Sequence, residues 1–210
     1  MEIPAKNKIF YERYWEGDKS ELSDFGLKWP VLFPYIPKDK EVTILDFGCG
    51  KGHILSEILY LNPKAKLIGC DVSETALQTA RTKVPNAIFH KIVDGGAIPL
   101  SDSSVDFVFS SEVIEHIYDT ENAVGEISRV LKSGGKALIT VPYHGFLKNL
   151  MIVLFDFDRH FDPTGPHVRF FSKRTMTRLL KQNGFEIEKY DYYGRLRPFS
   201  KSMVVLARKK

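Results

Sequence analysis

The chain has 210 residues, of which 43% are hydrophobic, and carries a formal net charge of +4. This length predicts a single α/β domain spanning residues 1–210, and the mild charge does not require an anionic partner. Only two cysteines occur, and their spacing fits neither a disulfide scaffold nor a metal site, which predicts a cytoplasmic protein. No signal peptide is recognisable, and the apolar run that contains Met151–Phe155 is too short to span a bilayer.

The first 40 residues are rich in aromatic side chains, among them Tyr11, Tyr14, Trp15, Phe25 and Trp29. We interpret residues 1–40 as a helical cap that lies over the domain.

From residue 42 onward, short β-branched strand patterns alternate with helix patterns. The predicted strands cover residues 42–47, 66–70, 87–93, 105–110 and 136–141. The sequence Ser133-Gly134-Gly135 is expected to end the last of the intervening helices before the fifth strand begins. This alternation predicts a doubly wound, Rossmann-like parallel sheet with helices on both faces.

After Pro142 the pattern changes. Residues 143–168 contain an apolar block, 146–157, and are interpreted as a substrate-side insert. Ser172 is predicted to cap the next helix. The chain then closes with a hairpin that adds an antiparallel strand to the sheet.

The first predicted strand ends in the glycine-rich loop Asp46-Phe47-Gly48-Cys49-Gly50-Lys51-Gly52. Glycines at such a strand end let the backbone approach a ligand and present N–H groups at a helix N-terminus. A dinucleotide-binding loop would need a small residue where His53 stands, and the lysine of a phosphate-binding loop is absent from its required position. Asp46 is expected to accept hydrogen bonds from loop N–H groups and to face a cationic ligand.

Two further acids follow the next two strands. Asp71 ends the second strand, where a carboxylate can accept hydrogen bonds from ribose hydroxyls, and Asp94 ends the third, where it can meet an adenine amino group. Acids at three successive strand ends describe an adenosine site for a positively charged ligand without phosphate. S-adenosylmethionine (SAM) has this chemistry.

Five stretches carry a resemblance to a known family: residues 44–52, 69–73, 93–117, 129–142 and 167–187. In these stretches the chain resembles the class I SAM-dependent methyltransferases, in particular the small-molecule branch that includes quinone-biosynthesis methyltransferases. The resemblance implies a seven-stranded, mostly parallel sheet with an antiparallel last strand. It also implies that Tyr11, Tyr14 or Trp15 serves as a lid over the cofactor.

The resemblance further implies SAM as the cofactor and S-adenosylhomocysteine as its product. Gly48, Cys49 and Gly50 would approach the methionine part, and Ser110 and Ser111 would lie near its end. Asp71 would hold the ribose, and Asp94 with Gly95 would meet the adenine. The complete set of predicted cofactor-binding residues is Asp46, Gly48, Cys49, Gly50, Gly52, Asp71, Val72, Asp94, Gly95, Ser110 and Ser111.

Glu112, Glu115 and His116 form an ExxEH pattern after the fourth strand. On a helix they would share one face, and two carboxylates with an imidazole suit a divalent cation. The same pattern occurs in metal-dependent quinone O-methyltransferases and small-RNA 2′-O-methyltransferases, where a later histidine helps; His167 is the candidate here. Glu–His pairs are also widespread in this family without metal, so no metal ligand is assigned, and His116, His167 and Glu115 are predicted as catalytic residues of the acceptor pocket.

The apolar block of the insert has several interpretations. It can belong to the core, cover an apolar acceptor, pack in a dimer or touch a membrane surface. We favour methylation of an oxygen on a small acceptor with an aromatic or lipid-like part, by a monomer or a homodimer, with peripheral membrane contact allowed. Nucleic acid is not expected as a partner because no dense basic face or RNA module is recognisable. The alternatives are a metal-assisted RNA 2′-O-methyltransferase, a non-catalytic SAM-binding protein and a nucleotide-dependent oxidoreductase.

Overall fold

The computed structural model describes residues 24–162 and 166–210. The predictions for Tyr11, Tyr14 and Trp15 lie outside these residues. Within them, the strands are β1 (Thr43–Phe47), β2 (Lys66–Asp71), β3 (Ile88–Lys91), β4 (Val105–Ser111), β5 (Leu131–Pro142), β6 (Phe185–Tyr193) and β7 (Ser202–Lys209). The helices are α1 (Phe25–Leu32), α2 (His53–Leu61), α3 (Glu74–Lys83), α4 (Thr120–Val130), α5 (Phe146–Phe155), α6 (Phe157–His160) and α7 (Lys173–Gln182). Two short 3-10 helices cover Phe33–Tyr35 and Ile114–His116.

The seven strands form one sheet in the order β3-β2-β1-β4-β5-β7-β6. Strands β1 to β5 run parallel, whereas β7 is antiparallel to both of its neighbours. The predicted doubly wound sheet and closing hairpin are therefore confirmed. Because the chain moves outward in opposite directions from β1 and from β4, a crevice opens at the carboxyl ends of these two strands.

The core lies on both faces of this sheet, as continuous apolar strands require. On one face, Leu55 of α2 and Leu77 of α3 pack against strand residues such as Phe109. On the other face, Ile127 of α4 and Leu180 of α7 pack against a separate set of strand residues. The crevice at the strand ends therefore lies in a three-layer arrangement, with helices packed on both faces of the sheet.

Strand β5 begins earlier than predicted. Leu131 pairs with Val105 directly after α4, and the register then shifts so that Lys136 pairs with Phe107. Ser133-Gly134-Gly135 therefore forms an irregularity within the strand and does not precede it, because a glycine pair accommodates the extra residues of a bulge. Strand β3 is shorter than predicted, at Ile88–Lys91.

Two predicted helix caps are present. Ser73 Oγ accepts a hydrogen bond from the Ala76 N–H at the start of α3. Ser172 forms a reciprocal capping box with Thr175 at the start of α7. Among the described residues, no helix is long and apolar enough to cross a membrane.

Candidate functional site

A cavity of about 580 Å³ opens at the carboxyl ends of β1, β2 and β4. Nine of the predicted cofactor residues line it: Asp46, Gly48, Cys49, Gly50, Asp71, Val72, Asp94, Gly95 and Ser111. Gly52 and Ser110 do not line it. Gly52 is the N-cap of α2 in a left-handed conformation, and Ser110 is fully buried in β4.

The glycine-rich loop is held by β2. The N–H groups of Gly48 and Cys49 donate to the Cys70 carbonyl at 2.8 and 3.0 Å, and the Gly50 N–H donates to Asp71 Oδ2 at 2.9 Å. The prediction that Asp46 orders the loop by accepting these N–H bonds is wrong, because β2 runs parallel beside β1 and its end presents acceptors directly to the loop.

Gly48 cannot be replaced by a larger residue without a collision. Its φ is +80°, and a Cβ atom at this position would lie 2.4 Å from a methyl carbon of Val113. The loop therefore requires glycine at this point both for its backbone conformation and for its packing against the segment that follows β4.

Asp46 is buried at the base of the cavity. Among the described residues, its Oδ2 atom has no hydrogen-bond partner. Burial, and next the neighbouring Asp71 carboxylate, raise the pKa of Asp46 to about 8, while Lys28 opposes the shift. A buried carboxyl oxygen without a partner suits a cationic group of a ligand, since binding would supply the missing counter-charge.

Glu112 turns away from the predicted cluster. Its φ is +57°, and its carboxylate accepts hydrogen bonds from the hydroxyls of Thr140, Tyr193 and Ser202 at 2.8, 3.0 and 3.2 Å. The helix expected to place the ExxEH residues on one face is only a 3-10 turn, Ile114–His116. Glu112, two residues before that turn, therefore points toward the sheet.

The structure instead joins Glu115, His116 and His167. The atoms through which these side chains could bind a metal ion, a carboxylate oxygen of Glu115 and one imidazole nitrogen of each histidine, all lie within 4.8 Å of one another. The Glu115 carbonyl accepts hydrogen bonds from Val168 and Arg169 N–H groups at 3.0 Å each, which fixes the segment after the insert beside the 3-10 turn. This contact brings His167 to a ring-centroid distance of 4.9 Å from His116.

Burial sets the protonation of this cluster. It lowers the pKa of His116 and lowers the pKa of His167 to about 4, so both imidazoles are neutral at pH 7. His116 Nδ1 lies 3.0 Å from the Pro166 carbonyl and donates to it, leaving a lone pair on Nε2. Burial also raises the pKa of Glu115 well above its usual range, and neither of its carboxyl oxygens has a hydrogen-bond partner among the described residues.

Several cavity residues were not predicted from the sequence. They are Lys28 of α1, His53 of α2, His144, Lys148 of α5, His160 of α6, Tyr193 of β6 and Lys201. These residues come from separate segments with no shared motif, so only the fold reveals that they meet. The sequence feature that could have indicated one of them is a charged residue, Lys148, within the apolar block.

The methyltransferase domain family matches residues 45–139 of this chain. The chain belongs to the class I SAM-dependent methyltransferases. The matched residues begin in β1 and end in β5, so they contain the cofactor loop, both following acids and the ExxEH pattern. SAM is the cofactor of this family, and the Asp46 oxygen that has no hydrogen-bond partner among the described residues fits its sulfonium charge.

Individual proteins of this kind are similar to the chain over part of their length. The chain is 33% identical over 147 residues to a probable SAM-dependent methyltransferase of Mycolicibacterium smegmatis, covering 69% of this chain and 52% of that protein. It is 34% identical over 144 residues to a tRNA (carboxymethyluridine(34)-5-O)-methyltransferase of Arabidopsis thaliana, covering 66% and 34%. A SAM-dependent methyltransferase structure from Mesorhizobium loti shares the fold, with a TM-score of 0.70, 20% identity and coverage of 87% and 97%. The chain thus spans about half, or less, of the length of these curated relatives.

Proposed function

We propose that this protein transfers the methyl group of SAM to an oxygen atom of a small acceptor with an aromatic or lipid-like part. The observation that carries the proposal is that one cavity of about 580 Å³ is lined by the cofactor loop and also by Glu115, His116 and His167. A cofactor and an acceptor bound in one cavity can meet without a large rearrangement.

In this proposal, residues at the ends of β1 to β3 bind the cofactor. Gly48, Cys49 and Gly50 line the methionine part, Asp71 accepts from the ribose, and Asp94 with Gly95 meets the adenine. The bound cofactor supplies an electrophilic methyl group on a positively charged sulfur. The protein's contribution is to hold the acceptor in line with that group, and such positioning is worth up to roughly 7–11 kcal/mol in favourable systems.

The acceptor end supplies proton acceptors. A hydroxyl must lose a proton as its oxygen is methylated, and a positioned general base contributes about 10²–10⁴-fold. The lowered pKa values of His116 and His167 keep both imidazoles neutral and able to accept that proton at pH 7. Glu115 lies beside His116, with Oε1 3.7 Å from Nε2. Because burial raises the pKa of Glu115 well above its usual range, this group would act as a neutral carboxyl beside the imidazole and not as its counter-charge.

A second candidate is a metal-assisted RNA 2′-O-methyltransferase. The favouring observation is that Glu115, His116 and His167 present ligand atoms within 4.8 Å of one another. One carboxylate and two imidazoles suit a divalent ion such as Mn²⁺, Fe²⁺ or Zn²⁺, and such an ion would lower the pKa of a ribose hydroxyl. We prefer the metal-free, small-acceptor function because the two neutral imidazoles already supply a base.

One experiment tests both candidates. Purified protein is incubated with SAM and a panel of aromatic, lipid-like and RNA acceptors, and S-adenosylhomocysteine release is measured with and without EDTA. Release on a small acceptor that is insensitive to EDTA supports the proposal, whereas EDTA-sensitive release on RNA supports the second candidate. SAM binding by calorimetry with no release on any acceptor would favour a non-catalytic SAM-binding protein.

A further inference from the structure

Helix α5 directs its one lysine toward the protein and leaves its apolar side chains outside the core. Eight of its ten residues are apolar, and none of the ten is buried. Lys148 Nζ donates to the carbonyls of Ser200 and Lys201 at 3.1 Å each, and Lys148 lines the cavity. A surface helix normally does the reverse, because a charged group loses favourable hydration when it leaves water. The inward position of this ammonium therefore indicates a role in the cavity.

The ammonium of Lys148 has no counter-charge in contact with it. An ammonium can donate three hydrogen bonds, and two of these go to the neutral carbonyls of Ser200 and Lys201. Within the described part of the chain, no carboxylate lies at ion-pair distance from Lys148 Nζ. One N–H group and one positive charge are therefore left for a ligand.

The other two lysines among the described cavity residues have acids beside them. Lys201 forms an ion pair with Asp24. Burial lowers the pKa of Lys28, and three nearby carboxylates, that of Glu112 first, oppose this shift. Lys148 is therefore the cavity lysine whose charge the described residues leave without a paired acid.

The histidines near Lys148 add no charge at pH 7. His144 precedes α5 and His160 ends α6, and their ring centroids are 5.3 Å apart. Burial lowers the pKa of His144 to about 4 and also lowers the pKa of His160, and the charge of Lys148 adds to both shifts. One ammonium beside neutral imidazoles gives this end of the cavity a positive potential, which favours an anionic ligand.

A carboxylate is the anion that fits this position. It carries one negative charge, which equals that of one ammonium, whereas a phosphate monoester carries about 1.5 to 2 at pH 7. Phosphate is often bound by the planar fork of arginine, and no arginine is among the described residues that line the cavity. A carboxylate oxygen would also accept the third hydrogen bond that Lys148 can donate.

We propose that the acceptor carries a carboxylate, which binds Lys148 Nζ while the methyl group is transferred to a hydroxyl oxygen of the same molecule. The inference rests on the proposed function and narrows its acceptor to small hydroxy acids with an aromatic or lipid-like part. The carboxylate is unchanged in the reaction: the new O–CH3 bond forms as the S–CH3 bond breaks, and the hydroxyl proton passes to the imidazole base. Asp46 and Lys148 would then separate the cationic cofactor from the anionic acceptor by charge.

Binding can be tested without turnover, because S-adenosylhomocysteine has no methyl group to transfer. Calorimetry of the full chain, saturated with S-adenosylhomocysteine, compares two matched pairs of probes. These are 4-hydroxybenzoate with 4-hydroxybenzamide, and 3-hydroxydecanoate with 3-hydroxydecanamide. We expect at least one carboxylate to bind roughly 10- to 150-fold more tightly than its amide, as a hydrogen bond between charged groups predicts.

Three variants locate the carboxylate site. Lys148→Met should remove the preference for the carboxylate and leave the affinity for the amides unchanged. Lys209→Met is the matched control: Lys209 is also half-buried and donates to the Leu131 carbonyl at 2.7 Å, but it does not line the cavity. Lys148→Arg keeps a positive charge and should keep most of the preference. Circular dichroism and the affinity for S-adenosylhomocysteine confirm that each variant is folded.

Proton uptake is a readout that a purely structural lysine would not produce. Burial, and then Arg195, lower the pKa of Lys148 to about 8, while Glu112 raises it and Lys201 lowers it; the nearby imidazoles are neutral at this pH. A bound carboxylate favours the ammonium, so binding at pH 8 should take up about half a proton, and almost none near pH 6. Calorimetry in buffers of different ionisation enthalpy measures this uptake. Lys148→Arg should lose it while keeping the carboxylate preference, because arginine stays protonated.

Three results would overturn the inference. The first is equal affinity for the acid and the amide in both pairs, or no binding of any of the four probes at millimolar concentration. The second is a carboxylate preference that persists in Lys148→Met, or that Lys209→Met removes equally. The third is a Lys148-dependent affinity for 4-hydroxyphenyl phosphate that exceeds the affinity for 4-hydroxybenzoate, which would assign the site to phosphate.

Turnover separates this inference from the proposed function. SAM replaces S-adenosylhomocysteine, and product release is measured on the same four probes. If the acids bind through Lys148 but none is methylated, the proposed function fails and the carboxylate site is still supported. If an amide is methylated as fast as its acid, methyl transfer is supported and the carboxylate inference fails.

Discussion

The two ends of the cavity are built differently. The cofactor end of the proposal consists of residues at or just beyond successive strand ends: Asp46 lies in β1, Asp71 ends β2, and Asp94 follows β3 by three residues. The acceptor end combines a 3-10 turn, an exposed helix and a segment more than fifty residues from that turn, held by hydrogen bonds such as Val168 N–H to the Glu115 carbonyl. The difference teaches that regular topology positions the residues proposed to bind the cofactor, whereas irregular contacts position those proposed to bind the acceptor. We therefore expect that the two ends can be changed separately.

The largest expected effect separates binding from chemistry. His116→Ala with His167→Ala should reduce the methyl-transfer rate by about 10²–10⁴-fold on the true acceptor, because the general base is lost. The dissociation constant for SAM, measured by calorimetry, should stay within about twofold, because neither imidazole is part of the cofactor loop.

The control for that pair is His90→Ala, on the edge strand β3. An unchanged methyl-transfer rate in the double variant would show that neither histidine acts at the acceptor site. A large loss of SAM affinity would instead show that the two ends are coupled.

Gly48→Ala should damage the cofactor end alone. A Cβ atom 2.4 Å from Val113 at a φ of +80° forces the loop to shift. Strain of this kind costs about 1–3 kcal/mol, so SAM affinity should fall roughly 5- to 150-fold. Calorimetric titration measures the loss, and Gly26→Ala, where a Cβ would meet nothing within 4 Å, should bind SAM normally. Normal binding by Gly48→Ala would contradict the close approach of this loop to the cofactor.

The same difference between the two ends of the cavity explains how much of each end can be predicted from the sequence. The periodic strands and the DxGxGxG loop predict the fold and the nine proposed cofactor residues that line the cavity, because strand ends are local features of a sequence. Glu112 was misplaced because a spacing of three and four residues shares a face only on a regular helix, and the chain forms a 3-10 turn there. Lys28 and Tyr193 could not be found, since they meet Ser111 and Glu112 through contacts 83 and 81 residues apart in sequence.

Proton release on cofactor binding offers a smaller signal. Burial and Asp71 hold the pKa of Asp46 at about 8, so this carboxyl is largely protonated at pH 7 in the free protein. A sulfonium nearby favours the carboxylate, and binding should release up to about one proton. Calorimetry of SAM binding at pH 7 in buffers of different ionisation enthalpy measures this release, and it should vanish in Asp46→Asn. Equal proton release in both proteins would show that the sulfonium does not bind near Asp46.

The same group predicts a pH dependence of stability. Its folded pKa, about 8, lies above the ordinary value of 3.8, so the folded state binds the proton more tightly. The stabilisation is complete below the unfolded pKa and is lost as pH rises from about 4 to about 8. Urea unfolding should therefore show the cofactor-free protein losing stability over this range, more steeply than Asp46→Asn. Equal slopes would contradict the raised pKa.

The smallest effects compare one helix cap from each end of the cavity. Ser73→Ala, beside Asp71, and Ser172→Ala, after the insert, should each lower the free energy of unfolding by about 1 kcal/mol, because each removes a capping hydroxyl. Neither serine lines the cavity, so saturating SAM should raise the melting temperature of both variants as much as that of the parent. Thr79→Ala, on the exposed side of α3, controls for loss of a hydroxyl outside a cap. If Ser172→Ala alone lost the SAM-dependent increase, α7 and the segment before it would have to contribute to cofactor binding, and the two ends of the cavity could not be independent.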